Sequence, residues 1–333
     1  MRSLSFAALA AVSFAAFSID AAQAAAPAAP GKFPHRVILQ GNGKLVIVGV
    51  DGRVEWELPW KGIHDIHVLP GNGAPAKSVM VQQGAAKIAE IDLETKEVVW
   101  SYDSAQSNGN AGNGNAGKKI EVHAFQPLAD GRVMIAESGA ARIIEIDRTG
   151  KLLDEVKLKV EHPHPHTDTR LVRKLSSGNY LVCHEGDGAL REYDSAGAVV
   201  WEYDVPLFGR EPQGGHGPEA WGNKSFAAVR LPSGNTLLST GNGHGLLEVT
   251  PRGEIVWQLT QRELPGIVLA WVTTLEVLPS GNIVLGNCHA GPGQPVLVEI
   301  EPKTKKVVAQ FDGFAEFGNN VSNSQLLDVK TLR

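Results

Sequence analysis

A polar turn followed by a short β-branched run recurs six times along the 333 residues, and in most copies the run ends in tryptophan. The copies are Asp51-Gly-Arg-Val-Glu-Trp56, Asp92-Leu-Glu-Thr-Lys-Glu-Val-Val-Trp100, Asp147-Arg-Thr-Gly-Lys-Leu-Leu-Asp154, Asp194-Ser-Ala-Gly-Ala-Val-Val-Trp201, Thr250-Pro-Arg-Gly-Glu-Ile-Val-Trp257 and Glu301-Pro-Lys-Thr-Lys-Lys-Val-Val-Ala309. A repeat of roughly 45 to 55 residues with strand-like content predicts stacked four-stranded units, because one such sheet cannot bury both faces alone. The fold class that follows is all-β, a six-bladed β-propeller.

Within the unit Ile120 to Leu158 the expected strands are Val122 to Leu128, Arg132 to Glu137, Arg142 to Asp147 and Lys151 to Leu158, joined by Gly- and Asp-bearing hairpin turns. The same order recurs from His64 to Tyr102, Thr167 to Tyr203, Phe226 to Leu259 and Thr273 to Phe311. Arg36 to Leu58 matches only strands two to four, and Val321 to Val329 only a first strand. The C-terminal strand is therefore expected to join the N-terminal blade and close the ring, which removes open sheet edges. Residues 36–333 then form a single domain.

Met1-Arg2, the apolar run Phe6 to Phe17 and the small residues Ala22-Gln23-Ala24 have the form of a cleaved signal peptide, residues 1–24, which predicts a periplasmic or secreted protein. Residues 25–35, rich in Ala and Pro, read as a disordered lead-in. No later stretch reaches the ~20 apolar residues of a membrane span. The formal charge of −5 is unchanged when Arg2 and Asp20 leave together, and it gives no whole-surface attraction to nucleic acid. Cys183 and Cys288 fall in the second strands of non-adjacent blades and are expected to be unpaired, buried thiols.

Loop lengths separate the two faces of the disc. Turns from strand one to two and from three to four are tight, whereas the blade-to-blade connections, Ser104 to Lys118, Lys159 to His166, Val205 to Trp221 and Thr260 to Trp271, are long and share one face. Long loops on a rigid scaffold are where binding is expected. The Asn/Gly tract Asn108 to Gly117 reads as a flexible solvated spacer.

Aligned on the leucine that ends strand one, the residue five earlier is His64, His123, Arg170, Phe226, Thr273 or Ser322. Three consecutive blades thus bring His, His and Arg to one mouth of the axial channel. The late position of strand two is polar in every blade, Gln40, Gln82, Glu137, His184, Thr240 and Asn287, and His166, His244, Cys288 and His289 lie in adjoining loops. Such a rim suits a small polar or anionic ligand and proton transfer near neutral pH. His123, His184 and Arg170 are the candidate catalytic residues, and His64, Gln82, Glu137, Asn287 and His289 the candidate ligand-binding ones. Glu161-His-Pro-His-Pro-His166 has metal-binding composition, but its prolines are expected to hold it extended, so no metal site and no cofactor is assigned. Trp56, Trp100, Trp201 and Trp257 share one outer-strand position and are expected to pack between blades; Trp221 and Trp271, at loop ends, could stack on a ligand.

The stretch Glu90-Ile-Asp92-Leu-Glu-Thr95-Lys-Glu-Val-Val-Trp100 resembles the Ala-x-Asp-x-x-Thr-Gly-x-x-x-Trp docking repeat of the pyrroloquinoline-quinone-type propellers, with Glu90 for Ala, Lys96 for Gly and one residue fewer before Trp. Quinone-dependent dehydrogenases of that group have eight blades, adjacent cysteines and a calcium site, a pattern this chain departs from. Asp194 to Tyr203 and the Leu-Pro-Ser-Gly-Asn runs at Leu231 and Leu278 also resemble arylsulfotransferase propellers. Those are six-bladed exported enzymes that use channel histidines and an arginine, roles the resemblance would give to His123, His184 and Arg170. The expected function is binding of a small polar or anionic, carbohydrate-derived ligand, or of a partner protein, at the funnel. The alternative is a histidine-dependent enzyme there, either a sulfuryl transferase or a lyase whose metal is held by histidines with Gln82 or Glu137.

Overall fold

The computed structural model describes residues 31–70, 75–111 and 119–333; the expected signal sequence lies outside the described residues. Six antiparallel sheets of four strands each form the blades of a propeller. In chain order of their second strands, blade 1 comprises Ser324–Leu326, Val37–Gly41, Lys44–Val48 and Val54–Pro59, and blade 2 comprises Ile66–Leu69, Ser78–Gln83, Lys87–Asp92 and Val98–Asp103. Blade 3 is Glu121–Pro127, Val133–Ser138, Arg142–Ile146 and Leu152–Lys157, and blade 4 is Val172–Lys174, Tyr180–His184, Ala189–Tyr193 and Val199–Asp204. Blade 5 is Ala228–Arg230, Thr236–Ser239, Gly245–Val249 and Ile255–Thr260, and blade 6 is Trp271–Val277, Ile283–Cys288, Leu297–Glu301 and Lys306–Phe311. The strands expected for the unit Ile120 to Leu158 agree with these to within one residue at each end.

The ring closes as the repeat count requires. Val37 pairs with Leu326 and Leu39 with Ser324, so the C-terminal strand supplies the innermost strand of the N-terminal blade. A second clasp was not legible: Gly31–Lys32 adds a parallel fifth strand to blade 6, opposite Ala309 and Gln310. Residues 31–35 of the expected disordered lead-in are therefore ordered, with Phe33 buried, while 25–30 lie outside the described residues. His35 then bonds both Glu299 of blade 6 and Asp328 beyond the closing strand (3.2 and 3.3 Å), fastening the seam.

Second and third strands such as Val133–Ser138 and Arg142–Ile146 are buried along their whole length, whereas the fourth strands at the rim alternate. Continuous burial follows from blades stacked on both faces. Each third-to-fourth strand pairing carries a bulge at the same place, opposite the tryptophan position. Trp56, Trp100, Trp201 and Trp257 lie there, and each indole Nε1 donates to a carbonyl in the next blade's outer turn, Leu93, Arg148, Pro251 and Pro302, at 2.8 to 3.1 Å. The repeat is thus an interblade latch. Trp257→Phe retains the ring but not the donor, and is expected to lower unfolding stability in urea by about 1 kcal/mol.

The Ser-Gly-Asn turns have a related cause. Gly178, Gly234 and Gly281 sit at φ +93°, +88° and +89°, where a side chain would be strained. The following Asn179, Asn235 and Asn282 donate to Glu192, Glu248 and Glu299 on the third strands (2.6, 2.7 and 2.7 Å). Cys183 and Cys288 are buried free thiols, and burial pushes both up to about 12. No helix among the described residues is long and apolar enough to cross a membrane.

Candidate functional site

Four of the six positions aligned from sequence, His64, His123, Phe226 and Arg170, meet where the first strands begin. His64 and His123 meet edge to face at 4.4 Å between centroids, His64 lies 6.4 Å from Phe226, and the Arg170 guanidinium lies 5.6 Å from the Phe226 ring. The Ser322 hydroxyl donates to the Ile63 carbonyl beside them. All six side chains are buried.

Their positions are set by second-strand side chains. Gln82 accepts from the Ile63 and His64 amides (3.2 and 3.1 Å) and donates to the Val122 carbonyl (2.9 Å), while Gln40 donates to the His64 carbonyl (2.6 Å). Gln82 thereby fixes both histidine-bearing segments. Asn287 does the same in blade 6, accepting from Ala270 and donating to Val268 and Pro295. Gln40, Gln82 and Asn287 thus serve buried backbone that needs partners.

His184 belongs to that structural set, whereas Glu137 pairs with a side chain of its own blade. The His184 Nδ1 donates to the Asp168 carbonyl (2.7 Å), its Nε2 meets the Tyr193 hydroxyl (2.9 Å), and burial with the nearby Arg191 charge pushes it down to about 4. Glu137 accepts from Arg142 Nε (2.6 Å) inside its own blade. The same guanidinium binds the Asn108 carbonyl and the Asn110 side chain, so the start of the expected flexible tract is tied down; residues 112–118 lie outside the described residues.

Beneath the ring the axis has a floor. Asp65 takes a two-pronged ion pair from Arg173 (2.6 and 2.8 Å) and also accepts from Asn323 (2.9 Å) and the Phe125 amide (3.2 Å), joining blades 1 to 4. At the ring, burial together with His123 and Arg170 holds His64 well below its ordinary value, and burial with the Arg170 charge pushes His123 down to about 4.

The sequence reading missed Glu121. Its Oε2 lies 3.0 Å from His123 Nε2 and 2.7 Å from His166 Nδ1, and its Oε1 pairs with Lys119 (2.5 Å). His166 is the one histidine of the His-Pro run that arrives here. The run does not stay extended, because the Asp168 carboxylate accepts from the His164 and Gly139 amides (2.5 and 2.8 Å) and the Thr167 and Asp168 amides turn back to the His164 carbonyl. His162 instead meets Asp187 at 3.2 Å.

The family model described as outer membrane protein assembly factor BamB matches residues 41–310. The chain belongs to this family.

Among solved structures, the BamB-type fold here is similar to a protein of unknown function from Bacteroides caccae, at 20% identity and TM-score 0.67 over 87% of this chain and 98% of that one. It is also similar to a streptogramin B lyase (12% identity, TM-score 0.54, 92% and 95% covered). A catalytically inactive virginiamycin B lyase from Staphylococcus aureus with quinupristin gives 14% identity and TM-score 0.51, over 84% and 83%. At these identities the likeness is one of fold alone. No curated protein gave a significant match.

Elsewhere on the loop face of this BamB-type propeller, His289 joins a separate cluster. It lies 5.2 Å from His216, which stacks on the buried Trp271 at 4.8 Å. Trp221 is covered by the Arg210 guanidinium at 3.6 Å. Both loop-end tryptophans are therefore already engaged by the protein's own side chains.

Proposed function

We propose that this is an exported BamB-type propeller that binds a small anionic, carbohydrate-derived ligand at the loop-face mouth of its axis. One observation carries the reading. In the ring, His64 Nδ1 and Arg170 Nη1, from blades 2 and 4, are buried polar atoms with no hydrogen-bond partner. Leaving a buried donor unpaired costs about 1–3 kcal/mol, and more for a charged group. Arg170 spends its Nε on Glu185, which leaves the rest of the fork for an oxyanion. The Phe226 ring beside it offers an apolar wall to the carbon face of a sugar. The form of residues 1–24 supports export.

Calorimetric titration of the purified protein with glucuronate, glucose and sulfate tests this. Saturable one-to-one binding of the anions without binding of glucose is expected. Equal binding of glucose and glucuronate, or no binding of either anion, would refute it. The assembly-factor family supports a protein as the competing occupant of the same face. Chemistry on the bound anion is the second reading, favoured by the Glu121–His123 pair beside the ring. Arg170 would stabilise developing charge there, and turnover of a sulfate ester or uronide that disappears in His123→Gln would establish it.

A further inference from the structure

We infer that Glu121, His123 and His166 form a binding site for one divalent transition-metal ion, zinc being the best match. One ligand atom from each residue, all within 4.8 Å of one another, makes this the one such group among the described residues. The site goes beyond anion binding by His64 and Arg170, because Glu121 and His166 lie outside the ring and His123, a ring member, is not among its unpaired groups.

The hydrogen bonding around His123 argues for it. Its Nδ1 lies 2.8 Å from the Thr169 carbonyl, which can only accept, so Nδ1 carries the proton. In a neutral ring the Nε2 lone pair then points at Glu121 Oε2, 3.0 Å away, acceptor against acceptor. Two arrangements resolve that contact: a proton held between the nitrogen and the carboxylate oxygen, as in an imidazolium, or a cation shared between them. The second is the usual dress of a metal-bound histidine, whose other nitrogen donates to a carbonyl that fixes the tautomer.

His166 completes the set from a loop that is itself braced. Its Nδ1 lies 2.7 Å from the same Glu121 oxygen, while the Asp168 turn described above holds the loop. Zinc bonds of about 2.0–2.1 Å place tetrahedral ligand atoms about 3.3 Å apart, so the Glu121 oxygen must draw back from the two nitrogens, now 3.0 and 2.7 Å away, while the nitrogens, within 4.8 Å of each other, close on the ion. His166 is half exposed and can supply that movement. Two imidazoles and one carboxylate favour zinc or a neighbouring first-row ion over calcium or magnesium. Three protein ligands leave a coordination position open, and His64 is the adjacent side chain, 4.4 Å from His123 and 6.5 Å from His166 between ring centroids. The Lys119 contact with Glu121 Oε1 competes weakly, since Lys119 is exposed.

Zinc itself is the probe. Chelator-stripped protein titrated with Zn2+, then dialysed and analysed by mass spectrometry, is expected to retain one equivalent. Cobalt substitution is expected to give the visible absorption of a four- or five-coordinate site. His166→Ala removes a half-exposed ligand without threatening the fold, and is expected to weaken zinc binding at least tenfold. His162→Ala, in the same His-Pro run, is expected to bind as the wild type does. Glu121→Gln is expected to behave as His166→Ala. No retained zinc, or retention that His166→Ala leaves unchanged, would overturn the site and leave the imidazolium. Zinc is titrated without organic anion and the anions are titrated in chelator, so either proposal can fail alone.

Discussion

Replacing Asp65 with alanine is expected to destabilise the protein by about 3–5 kcal/mol, the usual cost of stranding one member of a buried ion pair. Asp65 is fully buried, and Arg173, its two-pronged partner, is nearly so. The Phe125 amide and the Asn323 side chain lose their acceptor in the same step. Burial alone would raise the Asp65 carboxyl, but the charges of Arg173 and His67 outweigh it and hold the group far below the carboxylate range. A depressed folded pKa contributes stability that is fully present above the unfolded value near 3.8 and is lost as pH falls through the folded one. At pH 7 the whole effect should appear in urea unfolding, with the slope unchanged. The double variant Asp65→Leu with Arg173→Met removes both charges and should recover most of the loss. If the single variant cost no more than a surface substitution, the floor of the axial mouth would not be the interblade tie described here.

The second large effect is on binding. Arg170→Gln is expected to weaken glucuronate or sulfate affinity by about 10- to 100-fold, since a hydrogen bond to a charged group is worth about 1.5–3 kcal/mol. The change also strands the buried Glu185, so a loss of stability will accompany it. Arg170→Lys separates the two effects. It retains the charge beside Glu185 but not the planar fork, and an intermediate affinity in a well-folded protein is expected. Full wild-type affinity in both variants would place the anion elsewhere, and the cavity on the opposite face near Arg173 and Arg333 is the obvious alternative.

The blades, the ring closure and the His64–His123–Arg170 grouping were all legible because they depend on periodicity, which a single sequence displays in full. The interblade role of Trp56, Trp100, Trp201 and Trp257 was legible for the same reason. What was not legible depends on direction. The late second-strand residues repeat in every blade, yet His184, Gln82 and Asn287 bond backbone of the protein itself, because backbone that is buried there needs partners as much as any ligand does. Glu121 escaped notice although it stands two residues before His123, a spacing that puts both side chains on one face of a strand. Aligning one ring position per blade excluded its neighbours from view. In the His-Pro run the prolines suggested an extended segment, while Asp168 and Asp187, the residues that fold it, lie at or beyond its end.

The most direct test of an anion site at the axial mouth is anomalous diffraction from crystals soaked in selenate. A selenium peak within hydrogen-bonding distance of Arg170 Nη1, bounded by His64 and Phe226, is the predicted result. A peak confined to the opposite face beside Arg173 and Arg333, with none at the ring, would contradict the account.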